Sequence, residues 1–228
     1  QNADLIFWVG EDLENFLEKP LSSIAKKAEK IELMDIKGLN VLSFRERNIF
    51  DEHDDHDDHE GHAKKKKDDH DDQDDHDGHA KKKKDDHDDH DDHEGHGHGE
   101  YDPHIWLDPI NAKVILKEMT EHLIENDSKN ASTYKSNLDK ALKDIDKLTM
   151  NVMTELNQSV SSIVFHDAYQ YFEKRFNVNI LGAFTVNTDV MPGAEQLAEI
   201  REIIEHDKVS CVFSEPQFNP DIIKAVAK

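Results

Sequence analysis

Residues 51–100 constrain the fold of this chain more than any other stretch, because they contain almost no apolar side chains. The sequence GHAKKKKDDHDDQDDHD at 61–77 recurs as GHAKKKKDDHDDHDDHE at 78–94, which is a repeat with a period of 17 residues. Such a composition cannot bury enough apolar surface to offset the entropy that folding costs. We therefore predict a disordered insert that separates two globular segments.

The acidic excess of the chain is concentrated in this insert. The whole chain has a formal net charge of −23, and residues 51–100 hold 22 acids against 8 lysines. This charge repels nucleic-acid phosphates and attracts cations. No apolar run approaches the roughly 20 residues that a membrane helix needs. We expect a cationic ligand, no nucleic-acid partner and no membrane insertion.

The insert also carries twelve histidines, many of them three residues apart as in HDDHDDH. Imidazole binds Zn²⁺, Cu²⁺ and Ni²⁺, and neighbouring carboxylates can complete the coordination shell. The alternative is an acidic linker that only keeps the chain soluble, but solubility alone does not require so many histidines. We predict low-affinity metal binding by His53, His56, His59, His62, His70, His76, His79, His87, His90, His93, His96 and His98.

Strand and helix patterns alternate on both sides of the insert. The apolar run 5–9 predicts a buried strand, followed by a helix at 11–18 and a second helix from Pro20 through Ala28. After the insert, Asp108 and Pro109 have the residue types of a helix N-cap and a first helical position.

Further along, an apolar residue recurs every three or four positions between Ala131 and Leu156, which predicts one long amphipathic helix. Beyond it the patterns predict strands at 162–166, 178–184 and 209–213 and helices at 168–176, 193–206 and 219–228. This alternation is typical of an α/β protein with parallel sheets.

Two histidines outside the insert occupy positions suited to ligand binding. His166 ends an apolar strand in VFHDAYQYF, and ligands gather at the carboxyl ends of parallel strands. His104 lies between two prolines in DPHIWLDP, beside Trp106. From the residues alone, each is either a metal ligand or a packed structural histidine. We expect His122 and His206 to be solvated surface residues.

The sequence offers no sign of catalysis. It contains no P-loop, no GxGxxG and no HExxH, and no nucleophile stands beside a general base, including at Ser214 and Glu215. We predict no catalytic residues and a protein that is not an enzyme.

Five stretches taken in order resemble the metal receptors of ABC-type importers, and among these the zinc-specific, ZnuA-type branch. They are ADLIFWVGEDLENFLEK, the His/Asp-rich insert, EYDPHIWLDPINAKVI, VFHDAYQYFEKRF and CVFSEPQFNPDII, which cover nearly the whole chain. The insert just before the DPHIWLDP segment favours zinc over manganese. So does His166, because manganese receptors tend to carry a glutamate at the matching point.

The resemblance implies two Rossmann-like α/β lobes joined by a long rigid helix at 131–157. The N-terminal lobe then spans 1–130 and includes the insert, and the C-terminal lobe spans 158–228. Both lobes are expected to be incomplete, because the chain reads as truncated at both ends. The resemblance also implies that Cys211, a thiol here, forms a disulfide with a second cysteine in the parent protein.

The resemblance places Zn²⁺ between the lobes, with His104 and His166 as ligands. A further family histidine lies upstream of Gln1, and in some members a carboxylate lies beyond Lys228. The implied function is high-affinity zinc capture in the periplasm and delivery to the membrane subunit of an ABC-type permease, by a monomer. The alternatives are a metal buffer or chaperone that acts through the insert, and a manganese or iron receptor of the same family.

Overall fold

The computed structural model describes residues 2–50, 100–186, 192–207, 209–218 and 220–226. Within them, the chain has two parallel sheets and six α-helices, which confirms the α/β class. The repeat, its twelve histidines and the predicted disorder of the insert lie outside the described residues. Among the helices of the described ranges, none is long and apolar enough to cross a membrane.

The first sheet has two parallel strands, β1 (Leu5–Trp8) and β2 (Glu29–Glu32), joined by α1 (Glu11–Ile24). The prediction of a helix through Ala28 was wrong, because the chain has already left the helix and entered β2 at Glu29. The sequence patterns also placed a break between two helices just before Pro20, whereas the structure has the break at Glu14. Non-helical dihedral angles occur at Glu14, whose carboxylate accepts a hydrogen bond from Val9 N at 2.6 Å, and Pro20 lies inside the helix.

Two helices follow the insert. The first is α2 (Pro109–Asn126), and the Asp108 side chain caps it by accepting a hydrogen bond from Ile110 N at 2.8 Å, as the sequence predicts. The second is α3 (Ala131–Glu155), which packs against α2 and ends one residue before the predicted boundary.

The second sheet has the strand order β4-β3-β5, and both pairings are parallel. Its strands are β3 (Ser161–His166), β4 (Asn179–Thr185) and β5 (Cys211–Val212). The intervening helices are α4 (Gln170–Phe176) and α5 (Ala194–His206), and α6 (Asp221–Val226) follows β5. A core of six buried side chains lies between this sheet and α5 and α6: Ile163, Phe165, Phe184, Ile200, Ile223 and Val226.

Residues 42–50 connect the two halves of the described structure, and we call them the crossing segment. At its start, Leu42 O accepts a hydrogen bond from Asp102 N at 2.8 Å, and Ser43 forms an antiparallel bridge with Tyr101. At its end, Ile49 forms an antiparallel bridge with Gly182 in β4. The segment is therefore bonded both to the loop that carries His104 and to the sheet that carries His166.

Candidate metal site

His104 is held in a buried loop between the crossing segment and α2. His104 precedes a 3-10 turn at Ile105–Leu107, and its side chain is only 11% exposed. Its ring lies 5.5 Å from the Trp106 ring. Asp102 orients the imidazole: its Oδ1 atom accepts a hydrogen bond from His104 N at 2.9 Å and contacts His104 Nδ1 at 2.6 Å.

His166 is the last residue of β3, where its backbone pairs with Thr185 of β4. The position at the carboxyl end of a buried parallel strand agrees with the prediction and faces the usual ligand edge of such a sheet. Its Nδ1 atom lies 2.9 Å from Glu215 Oε1, in the loop after β5. The ring of Phe218 contacts it edge-on at 6.0 Å between centroids.

The two imidazoles meet through their Nε2 atoms. His104 Nε2 and His166 Nε2 are 3.4 Å apart, while the ring centroids are 5.3 Å apart. The two Nε2 atoms therefore face each other, and the centres of the rings lie farther apart. A tetrahedral Zn²⁺ with bonds of about 2.0–2.1 Å to nitrogen separates two ligand nitrogens by about 3.3–3.4 Å. The spacing of this pair fits two adjacent corners of such a shell.

The contacts on the opposite ring nitrogens have a chemical consequence. Each Nδ1 atom faces a carboxylate, Asp102 in one case and Glu215 in the other. A carboxylate accepts a hydrogen bond from an imidazole only when the proton is on the facing nitrogen, and in the neutral imidazole this leaves the other nitrogen with a free lone pair. In that tautomer both Nε2 atoms are ready to donate to a metal.

Further buried charges lie behind His166. Arg45 of the crossing segment contacts Asp167 Oδ1 at 3.0 Å and Glu173 Oε2 at 2.6 Å, and its guanidinium carbon lies 3.8 Å from the Phe50 ring centroid. Burial raises the pKa of Asp167 to about 6, although Arg45 acts in the opposite direction. Burial likewise raises the pKa of Glu173. Arg45 is the cation that these two carboxylates hold next to His166.

The described residues supply two donors rather than a complete shell. Within the ranges that the structure covers, no group of three or more His, Cys, Asp or Glu side chains is arranged to hold a metal ion. Zinc normally takes four ligands, so the pair leaves positions for water or for donors elsewhere in the protein. The twelve histidines of the insert lie outside the described residues.

The remaining candidates lie away from the pair. His122 is only 21% exposed, so its expected place on the solvated surface was wrong: its Nδ1 lies 2.9 Å from Glu29 and its Nε2 3.6 Å from Glu118. His206 is exposed at the end of α5, as expected. Cys211 is an exposed thiol, not the buried apolar residue that a lone cysteine usually is. Its pairing in a parent protein stays a prediction.

Sequence reasoning missed the two carboxylates that contact the imidazoles. Asp102 could have been found, because it lies two residues before His104 in a loop stiffened by prolines. Glu215 is 49 residues from His166, and although it lies in the stretch CVFSEPQFNPDII, nothing in that stretch links it to His166. Its one signal is its place after a strand of the same parallel sheet, whose carboxyl ends share one edge.

Comparison with known proteins places this geometry in a family. Residues 1–228 match the family described as ZnuA, zinc-uptake complex component A, periplasmic. The high-affinity zinc uptake system protein ZnuA of Brucella abortus is 41% identical over 228 residues. That alignment covers 99% of this chain and 66% of the Brucella protein.

Solved structures share the fold. A crystal structure of ZnuA superposes with a TM-score of 0.66 at 18% identity, covering 98% of this chain and 67% of that one. A manganese-bound mutant of a periplasmic metal-binding protein from Candidatus Liberibacter asiaticus gives a TM-score of 0.63 at 17% identity, covering 100% of this chain and 67% of that one. From the match over its whole length, we conclude that the chain belongs to the ZnuA family of periplasmic zinc-uptake components.

Proposed function

We propose that this protein captures Zn²⁺ through His104 and His166 and delivers it to a membrane permease without chemical catalysis. The observation that carries the proposal is the 3.4 Å separation of the two Nε2 atoms, with a carboxylate behind each ring. The family and the zinc-uptake relative support the same cargo. Periplasmic localisation, an ABC-type permease as partner and a monomeric state are parts of this proposal.

The same proposal assigns the parts of the fold. The N-terminal lobe is residues 1–130, the linking helix is 131–157, and the C-terminal lobe is 158–228. The two candidate ligands then come from different lobes, His104 from the first and His166 from the second. A site formed between two lobes can be opened by a small relative movement, which suits a protein that must release its cargo.

Zinc is favoured over manganese by the donor atoms. The pair presents two imidazole nitrogens, and the nearest carboxylates face the far side of the rings. Imidazole suits zinc, whereas manganese prefers carboxylate, carbonyl and water oxygens. The manganese-bound Liberibacter protein shares the fold, so a manganese receptor remains the within-family alternative.

The test is calorimetric zinc titration of the 228-residue chain at neutral pH. We compare the parent chain with the His104→Ala/His166→Ala double variant and with a matched His122→Ala/His206→Ala control. We expect the first variant to lose the tightest zinc-binding site and the control to keep it. Equal zinc binding by all three proteins would contradict the assignment of His104 and His166 as ligands. A parallel manganese titration that proves tighter than zinc would favour the alternative cargo.

A metal buffer that acts through the insert is the second candidate, and the twelve histidines of its sequence favour it. Deleting residues 51–100 separates the two functions. Capture by the histidine pair predicts that the tightest component survives the deletion and that the many weak sites disappear. A buffer predicts that nearly all zinc binding disappears with the insert.

A further inference from the structure

We infer that Glu215 is a positioning residue that sets the proton and the ring orientation of His166 for metal binding. The inference rests on the proposed function, since it assumes that His166 Nε2 is a ligand. Both carboxylate oxygens of Glu215 are engaged: Oε1 lies 2.9 Å from His166 Nδ1, and Oε2 accepts a hydrogen bond from Gln217 Nε2 at 2.6 Å. In this arrangement Glu215 acts through His166 and not as a metal ligand.

The chemistry of the contact defines the role. Glu215 as a carboxylate can only accept, so a neutral His166 carries its proton on Nδ1 and leaves the Nε2 lone pair for the metal. The negative charge also makes the imidazole a stronger donor. Carboxylate partners of this kind typically change metal affinity by about 10–100-fold when they are removed.

The local backbone is held independently of the carboxylate, which makes the role testable. Phe218 N donates to Glu215 O at 3.1 Å, closing a turn between the two backbones. The Phe218 ring stacks on Phe165 at 4.4 Å between centroids and so anchors the turn to the buried core. Removing the Glu215 carboxylate therefore leaves the fold of this turn supported.

Glu215 gives a cleaner test than Asp102. The Oδ1 atom of Asp102 accepts from the backbone N of His104 as well as contacting its ring, and the residue is only 1% exposed. A change at Asp102 would disturb the loop itself. Glu215 comes from a different element than His166, and its side chain contacts the ring without contacting the backbone of β3 in this way.

The experiment compares Glu215→Ala, Glu215→Gln and His166→Ala in the whole chain, with Glu205→Ala as a control that removes an exposed carboxylate from α5. Zinc binding is measured by competition with a chelator. The binding that remains in the His104→Ala/His166→Ala variant is subtracted, so that the affinity obtained is that of the histidine pair. Imidazole ¹H–¹⁵N spectra of the metal-free chain report the His166 tautomer, and far-ultraviolet circular dichroism reports the fold.

We expect Glu215→Ala to weaken zinc binding at the histidine pair by about 10–100-fold. We also expect it to shift His166 away from the Nδ1-protonated form. Glu215→Gln retains an acceptor oxygen, so it should restore the tautomer and part of the affinity. Glu205→Ala should change neither quantity.

Three results would each contradict either the positioning role of Glu215 or the proposed function, and they can be told apart. If His166→Ala weakens zinc binding and Glu215→Ala does not, the positioning role is wrong and the proposed function stands. If Glu215→Ala weakens binding while the His166 tautomer is unchanged, Glu215 acts by charge at a distance and does not position the ring. If His166→Ala has no effect, the proposed function itself fails.

Discussion

At the scale of single residues, the two candidate ligands differ from His122 in the groups that face their ring nitrogens. His104 and His166 have carboxylates on Nδ1 and turn Nε2 toward each other. His122 has a carboxylate near each nitrogen, 2.9 Å from Nδ1 and 3.6 Å from Nε2. Neither ring nitrogen of His122 is left facing another nitrogen donor. Residue type alone does not distinguish these cases, because they depend on which groups the fold brings to each ring edge.

Tyr171→Phe tests a buried hydroxyl that supports the His104 loop. Tyr171 is 1% exposed, donates to Asp102 O at 2.6 Å and accepts from Leu42 N at 3.0 Å. Burial raises its pKa to about 12, so the hydroxyl remains a donor at neutral pH. Its loss leaves two backbone groups unpaired and should lower the free energy of unfolding by about 1–3 kcal/mol. Urea denaturation measures the change.

The matched control is Tyr134→Phe. Tyr134 lies on α3, and its hydroxyl donates a hydrogen bond to Asp127 Oδ2 at 3.1 Å. Because that hydroxyl lies near the surface, water replaces its partner and the loss should be smaller. An equal loss in the two variants would contradict the role given to Tyr171.

At the scale of elements, the crossing segment is the part of the structure that the sequence patterns did not predict. It lies in the first globular stretch, yet Asn48 O accepts from Ala183 N at 2.8 Å and Phe50 N donates to Leu181 O at 2.9 Å. The segment thus adds an antiparallel edge to β4, far further along the chain. Periodicity within a stretch does not indicate a pairing of this separation, which depends on backbone hydrogen bonding in the assembled fold.

Gly182→Ala tests this contact. A Cβ atom built on Gly182 would lie 2.6 Å from Asn48 O, a backbone atom that cannot rotate away. The added methyl group should therefore push the crossing segment off β4 and lower the free energy of unfolding by about 1–3 kcal/mol. Thermal denaturation followed by circular dichroism measures the effect.

Gly193→Ala is the control for that substitution, because the nearest atom to its added Cβ is a flexible Gln196 oxygen at 4.0 Å. Its cost should be smaller and limited to the N-terminus of α5. If Gly182→Ala were no more costly than Gly193→Ala, the close approach of Asn48 O to β4 would be contradicted.

Arg45→Met tests the charge in the middle of the segment. Burial raises the pKa of Asp167 to about 6 and Arg45 acts to lower it, so removing Arg45 raises that pKa further. A raised folded-state pKa favours the protonated acid, and its stabilising contribution is lost as the pH rises through that pKa. The substitution should cost about 3 kcal/mol at pH 8. The cost should be smaller at pH 5, below the pKa of Asp167, where that carboxyl can take up a proton.

Denaturant titrations at the two pH values measure the difference. Arg201→Met serves as the control, because Arg201 is exposed and donates to the carbonyl oxygen of Ala225. We expect a small cost with no such pH dependence. A cost of Arg45→Met that is equal at pH 5 and pH 8 would show that Arg45 contributes through packing on Phe50 and not through its charge on Asp167.

At the scale of the whole molecule, zinc binding should appear as stability. A ligand that binds only the folded state at 100 times its dissociation constant raises the free energy of unfolding by about 2.7 kcal/mol. The histidine pair exists only when the loop after Asp102 and the end of β3 are brought together. Histidines of the predicted disordered insert would bind the folded and unfolded chains alike and add little.

Differential scanning calorimetry with saturating zinc, and again with excess chelator, measures this zinc-dependent gain in stability. The parent chain should gain stability with zinc, and the chelator should reverse the gain. The His104→Ala/His166→Ala variant should show almost no gain. A gain of the same size in that variant would assign the stabilising site to another part of the protein.

The sequence by itself determined the α/β class, most helix and strand positions, and the family. These features depend on local composition and on residue spacing, as with the Asp108 cap and the apolar stripe of α3. It also identified His104 and His166 as candidates, but left each open between ligand and structural residue.

The tertiary structure alone decided the rest. It placed the two Nε2 atoms 3.4 Å apart, brought Glu215 to His166 across 49 residues, and paired the crossing segment with β4. Those contacts join atoms that are distant along the chain and have no local pattern to mark them. The Glu215 contact exists because the parallel strands β3 and β5 bring their carboxyl ends to one edge of the sheet. The other two contacts depend on the crossing segment, whose backbone bonds both to the His104 loop and to β4.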